Sequence, residues 1–262
     1  MSERVQKILS QWGVASRRQA EQMILDGRVR LNGQLAQLGQ KADPQRDRVE
    51  VDGQVIQTCD RPEFLYLLLN KPAGIVSTCH DPQHRPTVLH LLPKELQQGQ
   101  GLHPVGRLDV ESTGALLLTN DGELTHHLTH PRHHISKTYE VWVQGNPSFT
   151  ILRQWREGVI LDGRKTLPAE VTILQRTESA TLLKVVLHEG RNRQIRRVAE
   201  QLNHPVVRLH RSAIGSIRLQ LPNHPSLAVG QYRVLKDFEI RLLKQEMDQP
   251  TRLPSQMKEQ SV

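Results

Sequence analysis

The segment from His103 to Asp121, HPVGRLDVESTGALLLTND, concentrates residues whose types could do chemistry. Arg107 and Asp109 stand in a turn just before a buried apolar run, and the small residues 112–114 leave room for a closely approaching ligand. An aspartate is ionised at neutral pH, so Asp109 could act as a nucleophile with only a cation to steady its charge. An Arg–Asp surface pair in a turn explains the same residues, and that alternative stays open here.

Two further segments carry residues of the same kind. Residues 137–141, KTYEV, place Tyr139 in an otherwise apolar strand, and residues 189–197, EGRNRQIRR, open a helix with four arginines. Seven arginines between 191 and 218 oppose two acidic residues, Glu189 and Glu200, which is a local charge of +5. This surplus favours a phosphate partner. The alternatives to a functional role are that Tyr139 only packs in the core and that the arginines lie on a solvated helix face.

Five of the 13 histidines lie between residues 126 and 134. The one-turn spacing of His126 and His130 would suit two metal ligands, but Pro131 interrupts the pattern and no HExxH motif is present. Neutral imidazoles beside Arg132 fit a surface that contacts RNA equally well. We therefore predict no metal site. The five histidines of this segment are His126, His127, His130, His133 and His134.

Composition narrows the classes of function. The 262 residues include 35 Lys+Arg and 27 Asp+Glu, and the net charge of +8 favours a polyanionic partner such as nucleic acid. The two cysteines indicate neither a disulfide framework nor paired CxxC zinc ligands, so we expect a cytoplasmic protein. No signal peptide or membrane span is predicted. Phosphate-loop, dinucleotide and zinc-deaminase signatures are missing, so no cofactor is expected.

The N-terminal residues predict a small separate domain over residues 1–60. Residues 16–19, SRRQ, match a capping box that begins a helix, and Gly27 suits its C-terminal cap. A shorter helix closes near Gly13, and the turns Asn32-Gly33 and Asp52-Gly53 indicate small hairpins.

This domain is basic. Residues 1–41 hold seven Lys or Arg against three acidic residues, a local +4. Arg17 and Arg18 lie at a helix N-terminus, where cations oppose the helix dipole, and a phosphate partner would explain that placement. The predicted RNA-binding residues here are Arg4, Lys7, Arg17, Arg18, Arg28 and Arg30.

The remaining residues predict an α+β domain over 61–247 with a largely antiparallel mixed sheet, because strands outnumber helices and are joined mostly by tight turns. A linker is expected over 58–64, long irregular connections over 77–104 and a disordered tail over 248–262. Helices are predicted over 148–158 and 191–202. Strands are predicted over 64–69, 116–119, 138–143, 169–175, 181–187, 205–210 and 214–219.

Four motifs occur in a family's order: GRLDVESTG, KTYEV, EGRNRQIRR and VVRLHRSAIG. Together they resemble the RsuA/RluB branch of the bacterial ribosomal RNA pseudouridine synthases, over about Arg4 to Ile240. The N-terminal segment RVQKILSQWGVASRRQAEQMILDGRVRLNG resembles the αL RNA-binding domain named after the fourth small-subunit ribosomal protein.

The resemblance implies a role for each matching residue. Asp109 would be the catalytic aspartate that attacks the target uridine, at C6 of the base or C1′ of the ribose. Arg107 would position the substrate or hold the site open while the base is out of the helix. Tyr139 would lie against the flipped uracil, with a part in proton transfer left open.

The assignments nearer the C-terminus are less distinctive. Arg196 of QIRR would pair with Asp109, although Arg197 is adjacent, and Leu209 would pack beneath the base. Arg191, Arg193 and Arg197 would contact RNA.

The implied reaction is an isomerisation that needs neither a redox carrier nor a metal. We expect a monomer whose partner is ribosomal RNA, either free or within an assembly intermediate. DPQHRPTVLHLLP resembles large-subunit enzymes and PRHHISKTY the small-subunit enzyme, and we favour the large subunit. The competing functions are a non-catalytic RNA-binding or ribosome-assembly factor and a zinc-dependent RNA enzyme.

Overall fold

The computed structural model describes residues 2–56 and 62–248. These residues fall into two compact units. The first unit consists of the described part of Met1–Tyr66 together with Leu89–His103 and Leu118–Gly122. The rest of the described chain forms the second unit. Most of the predicted linker and the predicted tail from 249 onward lie outside the described residues. The domain boundaries at 60 and 247 stay predictions.

The first unit begins with two helices, α1 (Val5–Gln11) and α2 (Arg17–Leu25). The predicted capping box is confirmed, because Gln19 N donates to Ser16 Oγ over 3.3 Å and Ser16 N donates to Gln19 Oε1 over 3.1 Å. The helices bury Val5, Ile8, Leu9, Ala20 and Ile24 against the strands that follow.

Short strands complete this unit. They are β1 (Glu3–Arg4), β2 (Val29–Leu31), β3 (Gln34–Leu35), β4 (Lys41–Ala42), β5 (Val49–Val51) and β6 (Gln54–Ile56). β1 pairs with β4, and the others form a sheet in the order β3-β2-β5-β6. Both predicted hairpin turns are confirmed: Asn32, Gly33, Asp52 and Gly53 all have positive φ, as two-residue hairpin turns of this kind require.

The second unit is built on a large mixed sheet. Its strands are β7 (Tyr66–Lys71), β8 (His103–Pro104), β9 (Thr113–Thr119), β10 (Lys137–Gln144), β13 (Glu170–Arg176), β14 (Ala180–Leu187), β15 (Val206–Ile214), β16 (Ile217–Arg218) and β17 (Tyr232–Val234), while β11 (Ile160–Leu161) and β12 (Arg164–Lys165) form a separate hairpin. The main order is β13-β14-β10-β15-β9-β7-β17. β15 pairs with β9 in parallel, whereas β10 pairs antiparallel with both its neighbours. The predicted α+β class is therefore confirmed.

Helix α3 (Lys94–Gln97) belongs to the first unit. The helices that connect or follow the strands of the large sheet are α4 (Gly122–Thr129), α5 (Phe149–Glu157), α6 (Gln194–Gln201) and α7 (Asp237–Asp248). α5 and α6 pack Trp155, Ile195 and Val198 against Val141 and Leu183 of the sheet. Of the described helices, none is long and apolar enough to cross a membrane.

Two predicted elements differ from the structure. The helix predicted from 191 begins at Gln194, because Arg193 takes a left-handed conformation with φ of 48° and ends the preceding turn. The two strands predicted over 205–210 and 214–219 are instead one strand, β15, followed by the two-residue β16. The predicted gap at 211–213 is absent because β10 pairs across that stretch with a register shift. Helices α3, α4 and α7 were not predicted.

Gly114 lets the two parallel strands of the sheet approach closely. It lies in β9 opposite Arg211 of β15 and has φ of +110°. A Cβ atom at this position would lie 2.2 Å from the Arg211 carbonyl oxygen and 2.6 Å from its nitrogen. Both are backbone atoms of a paired strand, so neither can move aside without disturbing the sheet.

We expect Gly114→Ala to lower the free energy of unfolding by more than about 2 kcal/mol, through the backbone clash added to the strain of a positive φ. Urea unfolding of both proteins measures the loss. Gly163→Ala is the matched control, because Gly163 has φ of +72° with nothing within 4 Å of the added Cβ. Equal losses for the two variants would show that the clash costs nothing.

Candidate active site

The loop that carries Asp109 is fastened to the segment just after β7. Ser77 Oγ donates to Leu108 O over 2.8 Å and accepts from Leu108 N over 3.1 Å. Gly74 N donates to Val110 O over 2.8 Å. The backbone on both sides of Asp109 is therefore fixed by hydrogen bonds, while its side chain keeps 32% of its accessible surface.

Lys71 anchors the same loop from beneath. Its side chain is fully buried at the end of β7, and Nζ donates to the carbonyl oxygens of Pro72 and Ser112 over 2.9 Å and of Asp109 over 3.2 Å. Burial lowers the pKa of Lys71 to about 8, although the nearby Asp109 carboxylate favours the charged form. The lysine binds backbone groups, so the carboxylate of Asp109 is left for other partners.

Two arginines of the α6 segment face the Asp109 carboxylate. Arg193 Nη1 lies 3.7 Å and Arg196 Nε 3.9 Å from Asp109 Oδ2. Both guanidinium groups also lie within 4.0 Å of Glu111, whose side chain is 66% exposed. These separations exceed hydrogen-bond length, so the two guanidinium groups face the carboxylate without occupying its lone pairs. Arg196 Nε is buried and has no hydrogen-bond acceptor among the described residues.

The neighbouring arginines have other partners. Arg197 donates to both oxygens of Asp162, over 2.9 and 2.6 Å, which places it away from Asp109. Arg191 donates to Glu189 Oε2 over 3.0 Å and to Arg164 O over 2.9 Å. The structure therefore brings Arg196, and not Arg197, to Asp109.

Asp109 opens into a cavity of about 210 Å³ within the second unit. Tyr139 and Leu209 both line it, from the adjacent strands β10 and β15, and Arg107 lines it from the Asp109 loop. Tyr139 is half-buried and packs against the main core, whereas Arg107 is exposed. The five residues predicted for catalysis and substrate binding thus meet in one cavity.

The cavity has a surplus of positive charge. Six Lys or Arg residues line it against two acidic residues, Asp109 and Glu189, so six minus two leaves four cations in excess. The six are Arg107, Lys137, Arg191, Arg193, Arg196 and Arg211. Such a lining suits a ligand that is anionic or becomes so during a reaction.

Four of the histidines form a cluster, and one of them, His130, lines this cavity. The rings of His126, His127, His130 and His133 lie with centroids 4.1 to 6.3 Å apart in the closest pairs. Desolvation and the neighbouring His126 lower the pKa of His130, so this residue favours the neutral form. Within residues 2–56 and 62–248, no group of three or more His, Cys, Asp or Glu residues is arranged to hold a metal ion.

The basic residues of the first unit divide into two groups. Lys7 pairs with Glu3, Arg28 forms a two-point ion pair with Asp52, and Arg30 donates to Gly33 O. Arg4, Arg17 and Arg18 are exposed and form no ion pair with any residue that the structure describes. The second group is available for an anionic partner.

Several residues of the site have no counterpart in the sequence analysis. No role was predicted for Lys71, Ser77, Lys137 and Arg211. Three of these carry a signal, because each is a charged residue within two positions of a predicted strand. Lys71 extends the apolar run 64–69, and Lys137 begins the KTYEV strand. Arg211 fell in the gap left between two strands that are in fact one.

Comparison with known proteins gives consistent matches. Residues 65–201 match the profile described as RNA pseudouridylate synthase, and residues 3–47 match the S4 domain. The chain is 41% identical over 245 residues to an uncharacterized RNA pseudouridine synthase of Mycobacterium tuberculosis, covering 92% of this chain and 93% of that one. It is 37% identical to ribosomal large subunit pseudouridine synthase B of Bacillus subtilis, covering 92% and 96%.

A solved structure agrees with these sequence matches. A crystal structure of a pseudouridylate synthase superimposes with a TM-score of 0.65 at 32% identity, covering 92% of this chain and 99% of that one.

We expect Lys71→Met to lower the free energy of unfolding by about 1–3 kcal/mol, because buried carbonyl oxygens lose their donor. Amide hydrogen exchange should also become faster in residues 107–112 than elsewhere. Lys184→Met is the control for loss of a lysine, because Lys184 is an exposed residue of β14. Unchanged exchange in the loop would contradict an anchoring role for Lys71.

Proposed function

Because the chain belongs to the RNA pseudouridylate synthase family and is therefore an isomerase, we propose that it converts one uridine of large-subunit ribosomal RNA to pseudouridine. Asp109 acts as the nucleophile in this proposal. The N1–C1′ bond of the uridine breaks and a C5–C1′ bond forms. The proton on C5 is lost and N1 gains one, so the product is an isomer and no electrons are exchanged with a carrier.

The position and the neighbours of Asp109 are the observation that supports its assignment as the nucleophile. Its carboxylate opens into the cavity between two guanidinium groups, at 3.7 and 3.9 Å, and its backbone is fixed by Lys71 and Ser77. A nucleophile needs ionised oxygens with free lone pairs and a fixed position. The attacked atom is C1′ of the ribose or C6 of the base, and both routes remain within the proposal.

Tyr139 and Leu209 supply the surface on which the uracil ring lies. Both side chains face the cavity from neighbouring strands, and Val141 opposite Leu209 belongs to the main core. Aromatic and aliphatic faces of this kind hold a base that has left the stack. Arg107 reaches the same cavity from an exposed position, which suits a contact with the RNA backbone or with the space that the base vacates.

Phosphate contacts offset the cost of taking the base out of the helix. Arg4, Arg17 and Arg18 are exposed and without ion-pair partners among the described residues, so they are the foremost candidates in the first unit. Lys7, Arg28, Arg30, Arg191, Arg193 and Arg197 remain part of the proposed RNA surface, with some of their charge already balanced by internal contacts.

The choice of the large subunit rests on relatives. Proteins of Bacillus subtilis and Pseudomonas aeruginosa, both named ribosomal large subunit pseudouridine synthase B, are 37% identical to this chain. A small-subunit target and a non-catalytic RNA-binding role are the alternatives. The presence of both Asp109 and Tyr139 in one cavity favours catalysis over binding alone.

We expect cells lacking this protein to miss one pseudouridine of ribosomal RNA, restored by the wild-type chain and not by Asp109→Asn. Mapping pseudouridines in the RNA of each strain identifies both the activity and the target nucleotide. A site missing from small-subunit RNA would correct the target. Persistence of every site in the deletion strain would favour the binding role.

We expect purified Asp109→Asn to bind the identified RNA within about threefold of the wild-type affinity while forming no pseudouridine, because one neutralised carboxylate removes the nucleophile and leaves the phosphate contacts. Filter binding and single-turnover assays measure the two quantities on the same protein. Turnover by this variant would remove Asp109 from the nucleophile role.

Replacing Arg17 and Arg18 together with Gln should weaken RNA binding and reduce the slope of log affinity against log salt by about 1–2, because each arginine that neutralises a phosphate adds about one to that slope. Arg48→Gln is the matched control, because Arg48 is already paired with Glu50 at 2.9 Å in the same unit. If the double variant keeps the wild-type slope, these arginines do not contact phosphate.

A further inference from the structure

Two cations of the cavity are not used by the mechanism above. Arg211 is only 5% exposed, and its Nε donates to Ala115 O over 2.7 Å. Its Nη2 is buried and has no hydrogen-bond acceptor among the described residues. A buried guanidinium with an unused donor is costly unless a partner arrives.

Lys137 lies beside Arg211. It is half-buried at the start of β10, two residues before Tyr139 and on the same face of the strand, and both residues line the cavity. The structure records no hydrogen bond or ion pair for its ammonium group with the residues it describes. Burial and the adjacent Arg211 lower the pKa of Lys137 to about 8. Keeping the ammonium group of Lys137 charged at this position therefore costs electrostatic free energy.

The acidic residues of the cavity have other partners. Both oxygens of Glu189 accept hydrogen bonds, from Leu167 N at 2.9 Å, Gln194 Nε2 at 2.7 Å and Arg191 Nε at 3.0 Å. Asp109 faces Arg193 and Arg196. Lys137 and Arg211 are thus two like charges without an acidic partner in the cavity. A substrate oxygen could bind both of them.

We propose that Lys137 and Arg211 bind the carbonyl oxygens of the target uracil and stabilise the negative charge that the base acquires during the reaction. This inference rests on the proposed function. The inference extends the proposed function by assigning a binding site for the base anion. The two cations form this site next to the surface of Tyr139 and Leu209.

Both routes for Asp109 generate that charge. Attack at C1′ forms an O–C1′ bond and expels the base with the N1–C1′ electron pair, which gives a uracil anion whose charge is shared by O2 and O4. Attack at C6 forms an O–C6 bond and moves the C5–C6 electron pair toward C4, which places the charge on O4. In either case fixed cations at the carbonyl oxygens lower the barrier, because they need no reorganisation when the charge appears.

Single-turnover pseudouridine formation on the RNA found by mapping tests the site. We expect Lys137→Met to slow the reaction by about 100-fold or more and Lys137→Arg to restore it to within about tenfold of wild type. Lys184→Met is the matched control and should react at the wild-type rate, because Lys184 is an exposed residue of β14 that does not line the cavity. The melting temperature of Lys137→Met should be no lower than that of wild type, since the change removes a penalised charge.

The outcomes separate the two proposals. If the wild-type protein forms no pseudouridine, the proposed function fails. If it does, and Lys137→Met reacts within about threefold of wild type or Lys137→Arg is as slow as Lys137→Met, the base-anion site is overturned. Arg211→Lys supplies a second variant that keeps the charge and should retain more activity than Arg211→Met.

Inhibition by free bases tests whether Lys137 and Arg211 bind a uracil oxygen or an RNA phosphate. Uracil is neutral near pH 7, whereas 6-azauracil has a similar ring that loses its proton near this pH. Inhibition of the wild-type reaction should be stronger with 6-azauracil than with uracil, and this preference should be lost in Lys137→Met. Inhibition by inorganic phosphate alone, abolished by the same change, would assign the cations to a phosphate and overturn the proposal.

Discussion

An aspartate that is to act as a nucleophile must remain ionised in a partly enclosed site without spending its lone pairs on hydrogen bonds. At the proposed site of Asp109, one set of groups fixes the backbone and a different set faces the carboxylate. Lys71 and Ser77 hold the backbone of the Asp109 loop, while Arg193 and Arg196 face the carboxylate from beyond hydrogen-bond distance. The strands of the sheet, the turn before α6 and the close approach at Gly114 all serve to keep these groups in place.

Charge at this site is maintained at the expense of stability. Lys137 is buried enough for its pKa to lie near 8, and Arg211 keeps an unused donor in the interior. A chain selected only for a stable core would fill these positions with apolar side chains. Their presence around one cavity indicates that the region is organised for an anionic ligand or transition state.

Much of the fold was predictable where local rules apply. The capping box at Ser16, the turns at Asn32-Gly33 and Asp52-Gly53 and the α+β class follow from spacing and turn chemistry. The site was predictable at Asp109 and Tyr139 through motifs. Lys71 and Arg211 were not, because their roles come from contacts with residues 41 and 96 positions away. The gap wrongly predicted at 211–213 has the same origin, since the pairing with β10 that continues the strand joins distant parts of the chain.

The separation of these contacts along the chain also sets an order of folding. The core of the N-terminal unit is drawn from residues between Val5 and Val51, so it is complete once that short stretch has been made. The cavity needs β15 beside β9, and the hydrogen bond between Thr113 and His210 spans 97 positions. Local contacts form before distant ones. During synthesis on the ribosome, the hydrophobic core of residues 5–51 therefore forms while the cavity around Asp109 still lacks one of its strands.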